Sequence, residues 1–414
     1  MTSGQSTILW IYAALIAIWP IRYVALKFIF RRARPLTPDS PKLEQSAPPL
    51  ITAIIPAKDE ERTLDECLTS VRAQDYPHLE ILVVDDRSDD RTLEIARRHE
   101  AEDARVRVVH NAEPPPPGWT GKTRVLDKHA GQTNGEWLWF LDADTRHEPP
   151  FLKVMMEHAR THGAALVSIL PELRCETFWE RVVQPLGGVV LMQSFPLHKI
   201  NDDSSKLAFA NGQSILVARS AYDAAGGHKA VRDRFVEDIA LAHKVKGLGL
   251  PIRVAMTRGL VSCRMYSSLS QLVHGWSRIL YDALDRSPIR LFGRLLDPVI
   301  FCQSGHLALL ASLILLAVGT PGSFPAWLLG MSLVHHALMY PVFRLIYNAS
   351  TPGSRHVAWF PLGNILTDYI LIRSIQMCVT GKVTWRGTSY GASHPNPATA
   401  RTAGDKPNVE TSRV

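Results

Sequence analysis

From Ile51 to about residue 290 the chain alternates short apolar runs with polar stretches of helical spacing. "ITAIIP" predicts a strand, residues 60–74 a helix, and "LEILVVDD" a second strand ending on Asp85 and Asp86. Residues 90–102 predict a helix, and "RVRVVH" and "EWLWFLDAD" two further strands. A helix over 150–162, the strand "AALVSIL" and the strand and turn of "GQSILVARSAY" follow. Such alternation builds an α/β unit on a mixed, mostly parallel sheet between helices.

Both flanks have a different pattern. The run Ile8–Phe30 is apolar and, at about 1.5 Å per residue, long enough to cross a bilayer. "RRARP" closes it, and basic residues there put that end in the cytoplasm. Residues 1–35 therefore read as a membrane anchor, 36–49 as a Pro/Ser-rich linker and 50–290 as the α/β domain. Residues 291–385 form a C-terminal membrane region, with spans near 299–319 and 326–347 and a weaker one at 359–381 that contains Asp368 and Arg373. Three C-terminal crossings would carry the basic "GKVTWRG" outward, against the positive-inside bias, which leaves the third segment crossing, re-entrant or interfacial. His335 and His336 sit in the second span, where packed or hydrogen-bonded imidazoles are the expectation. Residues 386–414 are a polar, Pro-rich tail with a disordered composition. The layout predicts a multi-pass protein of the cytoplasmic (inner) membrane with a cytosolic α/β domain.

The net charge of +7 is spread along the chain, with no dense basic block and no nucleic-acid module, so membrane lipid or a phosphorylated ligand accounts for it and nucleic acid does not. Five scattered cysteines, none in a C-x-x-C pair, form neither a disulfide framework nor a zinc site.

The chemistry lies in the carboxylates. In open α/β sheets ligands bind outside the carboxyl ends of the strands. Asp85–Asp86 and Asp142-x-Asp144 both fall there. Residues i and i+2 of a strand share a face, so Asp142 and Asp144 aim at one place and repel unless a cation joins them. Hard divalent cations, Mg²⁺ or Mn²⁺, take such oxygen ligands. A solvated Asp-rich turn is the plainer account of each pair alone. Glu237 and Asp238 open an amphipathic helix, where acidic residues also suit the helix dipole. "GWTGKT", 118–123, is not a phosphate-binding P-loop, because its glycines are separated by two residues instead of four.

Taken together, these segments resemble the family 2 glycosyltransferases of GT-A type. The likeness rests on Pro56, Asp59 and Glu60 after the first strand, on "VDDRSDDRT", on "LDADT" and on "VED", in that order over about 240 residues. "PPGWTGKTRVLDKHAG", "FANGQSILVARSAYDAAGGH" and "GKVTWRGTSY" are similar to a branch associated with hopanoid biosynthesis, HpnB. Similar layouts occur in carotenoid and ceramide glycosyltransferases.

The resemblance implies a nucleotide-sugar donor, UDP-linked, held by Pro56, Ala57, Asp59, Glu60, Asp85, Asp86, Lys122, Asp142 and Ala143. Lys122 reaches the donor diphosphate, Asp144 with Asp142 holds Mn²⁺ or Mg²⁺, and Asp238 beside Glu237 is the general base of an inverting transfer. The acceptor implied is a lipid hydroxyl, that of a hopanoid first and of a carotenoid, ceramide or diacylglycerol as alternatives. An inactive membrane scaffold of the same fold is the rival from another class. One departure stands out. The wider family carries Q-x-x-R-W after the acidic pair, whereas Gln271, Trp276 and Arg278 occur here in a different order. They are expected to meet the acceptor or diphosphate, and the change argues against a processive polymerase.

Overall fold

The computed structural model describes residues 1–32, 34–45, 47–350, 355–381, 383–385 and 388–390. The polar tail expected from 386 onward lies, apart from 388–390, outside the described residues.

A seven-stranded sheet organises the α/β domain. Its strands are β1 (Ile51–Ala57), β2 (Leu79–Asp86), β3 (Val106–Asn111), β4 (Trp137–Leu141), β6 (Leu166–Leu170), β8 (Ser214–Ala218) and β9 (Ile252–Met256). They run in the order β3-β2-β1-β4-β8-β6-β9. β8 is antiparallel to both neighbours, and every other pairing is parallel. The sheet is thus mixed and mostly parallel, with helices on both faces, as in the GT-A type. A second small sheet joins β5 (Thr145–His147), β7 (Glu172–Leu173) and β10 (Val261–Cys263).

The strand order fixes where a ligand can sit. β1, β2 and β3 wind outward in one direction, and β4 lies on the other side of β1. This reversal opens a crevice at the carboxyl ends of β1 and β4. Alternation along the strands then divides the side chains. Ile81 and Val83 join the core under helices Leu64–Arg72 and Thr92–Glu102, while Leu82 and Val84 pack with Val125 of helix Gly121–Ala130. Asp85 and Asp86 continue this alternation and leave the strand on opposite faces.

The Pro/Ser-rich segment before β1 is strapped along the domain. Leu36 exchanges backbone hydrogen bonds of 2.8 Å with Met256 and Arg258, and Leu43 is buried in the core.

Among the described residues three helical stretches are long and apolar enough to cross a membrane: Ser3–Arg31, Pro288–Ala317 and Phe324–Ser350. The second runs through a π-turn at Val299–Gln303 and starts well before the apolar run that announced it. Bulky side chains such as Trp10, Ile21, Leu307, Leu313 and Trp327 stand exposed on these helices, an apolar belt that only lipid or a partner would cover. Helix Phe360–Thr380 behaves differently and packs onto the α/β domain. Its Ile370 and Leu371 share a core with Val182, Val183, Leu272 and Leu280, and Ser374 Oγ donates to the Ser277 carbonyl at 2.9 Å. That buried face explains why its polar residues weakened it as a sequence span. Helices Phe178–Ser194 and Leu269–Ala283 therefore join the domain to the helical bundle.

Candidate active site

Two loops build the outer rim. After β1, Asp59 has a left-handed φ of 53°, and after β2, Arg87 has one of 57°. The loops interlock. The Asp59 N–H donates to Ser88 Oγ at 3.0 Å, Asp59 Oδ1 accepts from the Asp89 N–H at 2.9 Å, and the Glu60 N–H donates to Thr92 Oγ1 at 2.7 Å. Asp59 and the Glu60 backbone thus hold the loop that Pro56 and Ala57 introduce.

Asp85 is fully buried and pairs through Oδ2 with Nδ1 of His110, its register partner on β3, at 2.7 Å. Asp86 receives both ends of the Arg87 guanidinium at 3.0 Å and the Asn111 amide at 2.8 Å. On this second face it abuts Gly121, where a Cβ would come within 2.9 Å of Asp86 Oδ2.

The centre is a group of charges at the β4 edge. Lys122 Nζ lies 2.6 Å from Asp142 Oδ1 and 2.7 Å from Glu237 Oε1. It is the second residue of helix Gly121–Ala130, which the polar "GWTGKT" did not announce. Thr120 and Thr123 cap that helix reciprocally. They also tie it to the Arg232 carbonyl, through the Thr120 N–H at 2.9 Å and Thr123 Oγ1 at 2.7 Å. Burial alone would lower the Lys122 ammonium, but Asp142, Glu237 and Asp238 outweigh it and hold it well above the usual lysine range.

Asp238 is half-buried beside them. Its Oδ2 accepts the Gly212 N–H at 2.5 Å, and its Oδ1 the Ile239 N–H at 2.7 Å. Burial first, then the charge of Glu237, push its carboxyl up to about 7, against the pull of Lys122 and of the two N–H donors. A carboxyl titrating there is matched to general-base work near neutrality.

Asp282 is a residue that the sequence reading missed. It is fully buried, and its Oδ2 accepts the N–H groups of Phe235 and Val236, both at 2.8 Å, while Arg286 Nε donates to Oδ1 at 2.8 Å. It thereby fixes the entry to helix Glu237–Gly247. No local signal in "YDALDR", 281–286, gives this, because the contacts span more than forty residues.

Asp144 is half-buried past the end of β4, its carbonyl taking the Arg264 N–H at 3.4 Å. Burial raises the Cys263 thiol and the Tyr266 hydroxyl, and the Asp144 charge adds to both; Arg278 opposes it at Tyr266. Arg278 and Asp144 thus both act on Tyr266. Among the described residues no three His, Cys, Asp or Glu side chains converge as a closed metal site.

Two expected contacts are corrected. Trp276 is buried, with its indole N–H on Gln184 Oε1 at 3.0 Å and its ring against Gly187, where a Cβ would clash at 2.6 Å. It fills the joint between helices and does not face the carboxylates. Gln271 is exposed and holds the start of its own helix, its Oε1 accepting from the Ser267 N–H and hydroxyl, both at 3.0 Å. Neither residue joins the acidic group.

Residues 52–224 match the family model described as glycosyl transferase family 2. The matched segment includes Pro56, Asp85, Asp86, Lys122, Asp142 and Asp144 and ends before Glu237. Over 239 residues, 56% of this chain, it is 28% identical to a 4,4'-diaponeurosporenoate glycosyltransferase of Staphylococcus haemolyticus, and it spans 60% of that protein's length. It is 26% identical over 276 residues to the 4,4'-diaponeurosporenoate glycosyltransferase of Staphylococcus aureus, covering 66% of this chain and 70% of that one. In fold it is similar to the mannosyltransferase PcManGT of Pyrobaculum calidifontis, a structure in complex with GDP-Man and Mn²⁺. The TM-score is 0.51 at 16% identity, over 91% of this chain and 99% of that one. The α/β sheet and the carboxylates Asp85, Asp86, Asp142 and Asp144 thus lie in a segment that is similar to glycosyl transferase family 2.

Proposed function

We propose that the protein is a membrane-anchored, inverting glycosyltransferase that moves one sugar from a nucleotide-diphosphate donor, UDP-linked, to a lipid hydroxyl at the cytosolic face of the inner membrane. The observation that carries this reading is the group Asp142–Lys122–Glu237 with Asp238, at the carboxyl edge of the sheet.

The donor is taken to bind along the carboxyl edge, its base toward Asp85 or Asp86. Lys122 answers the charge of the diphosphate while remaining neutralised by Asp142 and Glu237 between turnovers. The donor set fits a divalent cation: Asp144 and Asp142 would supply carboxylate oxygens, which the hard cations Mn²⁺ and Mg²⁺ prefer. Because Lys122 already engages Asp142, Asp144 is the principal ligand. When bound, the cation supplies Lewis-acid stabilisation of the departing diphosphate. Asp238 uses one oxygen, each of which keeps a lone pair beyond its backbone N–H, to take the proton of the acceptor hydroxyl. The acceptor's deprotonated oxygen attacks the anomeric carbon as the nucleoside diphosphate leaves from the opposite side, which inverts the centre. Arg278, which acts with Asp144 on Tyr266, is the further cation proposed to meet the diphosphate.

The acceptor favoured is a hopanoid, in line with the HpnB-like segments 116–131 and 209–228. A carotenoid acceptor is the second reading, and the two staphylococcal diaponeurosporenoate glycosyltransferases support it. The apolar belt of the three long helices supports membrane residence in both cases. Lipid profiling of cells with and without the gene separates them: loss of a glycosylated hopanoid supports the first, loss of a glycosylated carotenoid the second. An unchanged glycolipid profile would overturn both.

A further inference from the structure

Away from the carboxylate edge, three apolar helices bring polar side chains together at mid-length. Gln303 ends the π-turn, His306 follows it, His336 lies midway along Phe324–Ser350, and Asn364 and Asp368 lie on Phe360–Thr380. Gln303 Nε2 donates to Asp368 Oδ2 at 2.7 Å. His336 Nδ1 lies 2.8 Å from the Ser332 carbonyl, which can only accept, so Nδ1 carries the proton. Neutral His336 then accepts at Nε2, and His306 donates to it from Nδ1 at 2.9 Å. This chain of roles leaves His306 Nε2 as a bare lone pair.

That atom is buried with no protein partner, and so are Asp368 Oδ1 and Asn364 Nδ2. The three converge. The His306 ring lies 5.9 Å from Phe360, and Gln303 holds Asp368. Phe360, Asn364 and Asp368 are successive i, i+4 positions on one stripe, so these two contacts bracket Asn364, which is only 4% exposed. One amide donor and two acceptors, all unpartnered, thus belong to one helix junction inside an apolar bundle. Unpaired polar groups there are costly and mark a ligand. The π-turn at Val299–Gln303, directly after Pro298, is a second irregularity of the kind found at functional sites.

We propose that Asn364, Asp368 and His306 bind the hydroxyl group of a membrane amphiphile lodged between the three helices. A hydroxyl both accepts and donates. Its oxygen takes the Asn364 amide, and its hydrogen goes to Asp368 or His306. The flanking Leu307, Leu310, Ile365 and Tyr369 are exposed and apolar, which provides a bed for the alkyl part and favours an amphiphile over water. The site is separate from the carboxylate group and does not rest on the proposed transfer reaction.

The test uses the full-length protein in phosphatidylcholine nanodiscs and two probes, a diazirine-bearing hexadecanol and its methyl ether. Crosslinked peptides are quantified by mass spectrometry. The alcohol is expected to label the segments 299–317 and 360–380 roughly five-fold more than the ether, the worth of one net hydrogen bond. Asn364→Leu is expected to abolish that preference. His306→Phe serves as the second variant, with UDP binding as the check that each is folded. Equal labelling by alcohol and ether, or a preference that survives both substitutions, overturns the proposal.

Discussion

The backbone N–H of Gly212 donates to Asp238 Oδ2 at 2.5 Å, and the space beside this bond is tight. A Cβ at this position would lie 3.1 Å from that oxygen and 3.2 Å from Lys122 Nζ. Gly212→Ala is therefore expected to push the loop back and shift the base. A displacement of this kind costs on the order of a hundred-fold in kcat. Steady-state kinetics, with thermal unfolding as a check on folding, reads this directly; wild-type turnover would show that the loop yields without moving Asp238.

Lys122 is the cation between Asp142 and Glu237. Lys122→Met leaves both carboxylates without it. Removing one member of such a largely buried pair costs about 3 kcal/mol. The variant is expected to melt at lower temperature and to need more donor for half-saturation. Lys122→Arg should restore much of the stability but less of the donor affinity, because the planar fork does not fit the same space.

As the proposed base, Asp238 must be ionised to act. With its carboxyl raised to about 7 by burial and Glu237, kcat/KM is expected to fall as pH drops through that value. Glu237→Gln removes the repelling charge, so the acid limb should move to lower pH. A limb that stays in place would mean that another group sets it.

Two buried histidines predict acid sensitivity. Burial lowers His147, between Trp139 and Phe151, to about 3, and burial followed by Lys122 lowers His228 to about 3. Both are neutral in the fold, while an unfolded histidine titrates near ~6.5. Their contribution is therefore complete above that pH and is lost as pH falls from there toward 3. Melting temperature against pH should slope downward on the acid side, and His147→Phe should flatten part of the slope.

Sequence legibility followed the range of the forces. β1, β2 and β4 were readable because apolar strands carry their signal locally, and their terminal carboxylates are costly enough to stand out. Helix Gly121–Ala130 was not, since its start depends on Thr120, Thr123 and the distant Arg232 carbonyl. Asp282 was invisible because it acts across the fold on Phe235 and Val236. Trp276 and Gln271 misled because their residue types matched a family pattern whose geometry this helix lacks. Helix Phe360–Thr380 was ambiguous because one face packs on the α/β domain and another on apolar helices.

The central claim is that the acidic edge is a metal-assisted nucleotide-sugar site. The most direct measurement is nucleotide release from a panel of UDP- and GDP-sugars by the protein in mild detergent with lipid extract, with and without Mn²⁺, beside Asp144→Asn. Metal-dependent release from one donor, lost in Asp144→Asn, is the predicted result. Release that proceeds equally without metal, or that Asp144→Asn leaves intact under saturating Mn²⁺, would contradict the claim.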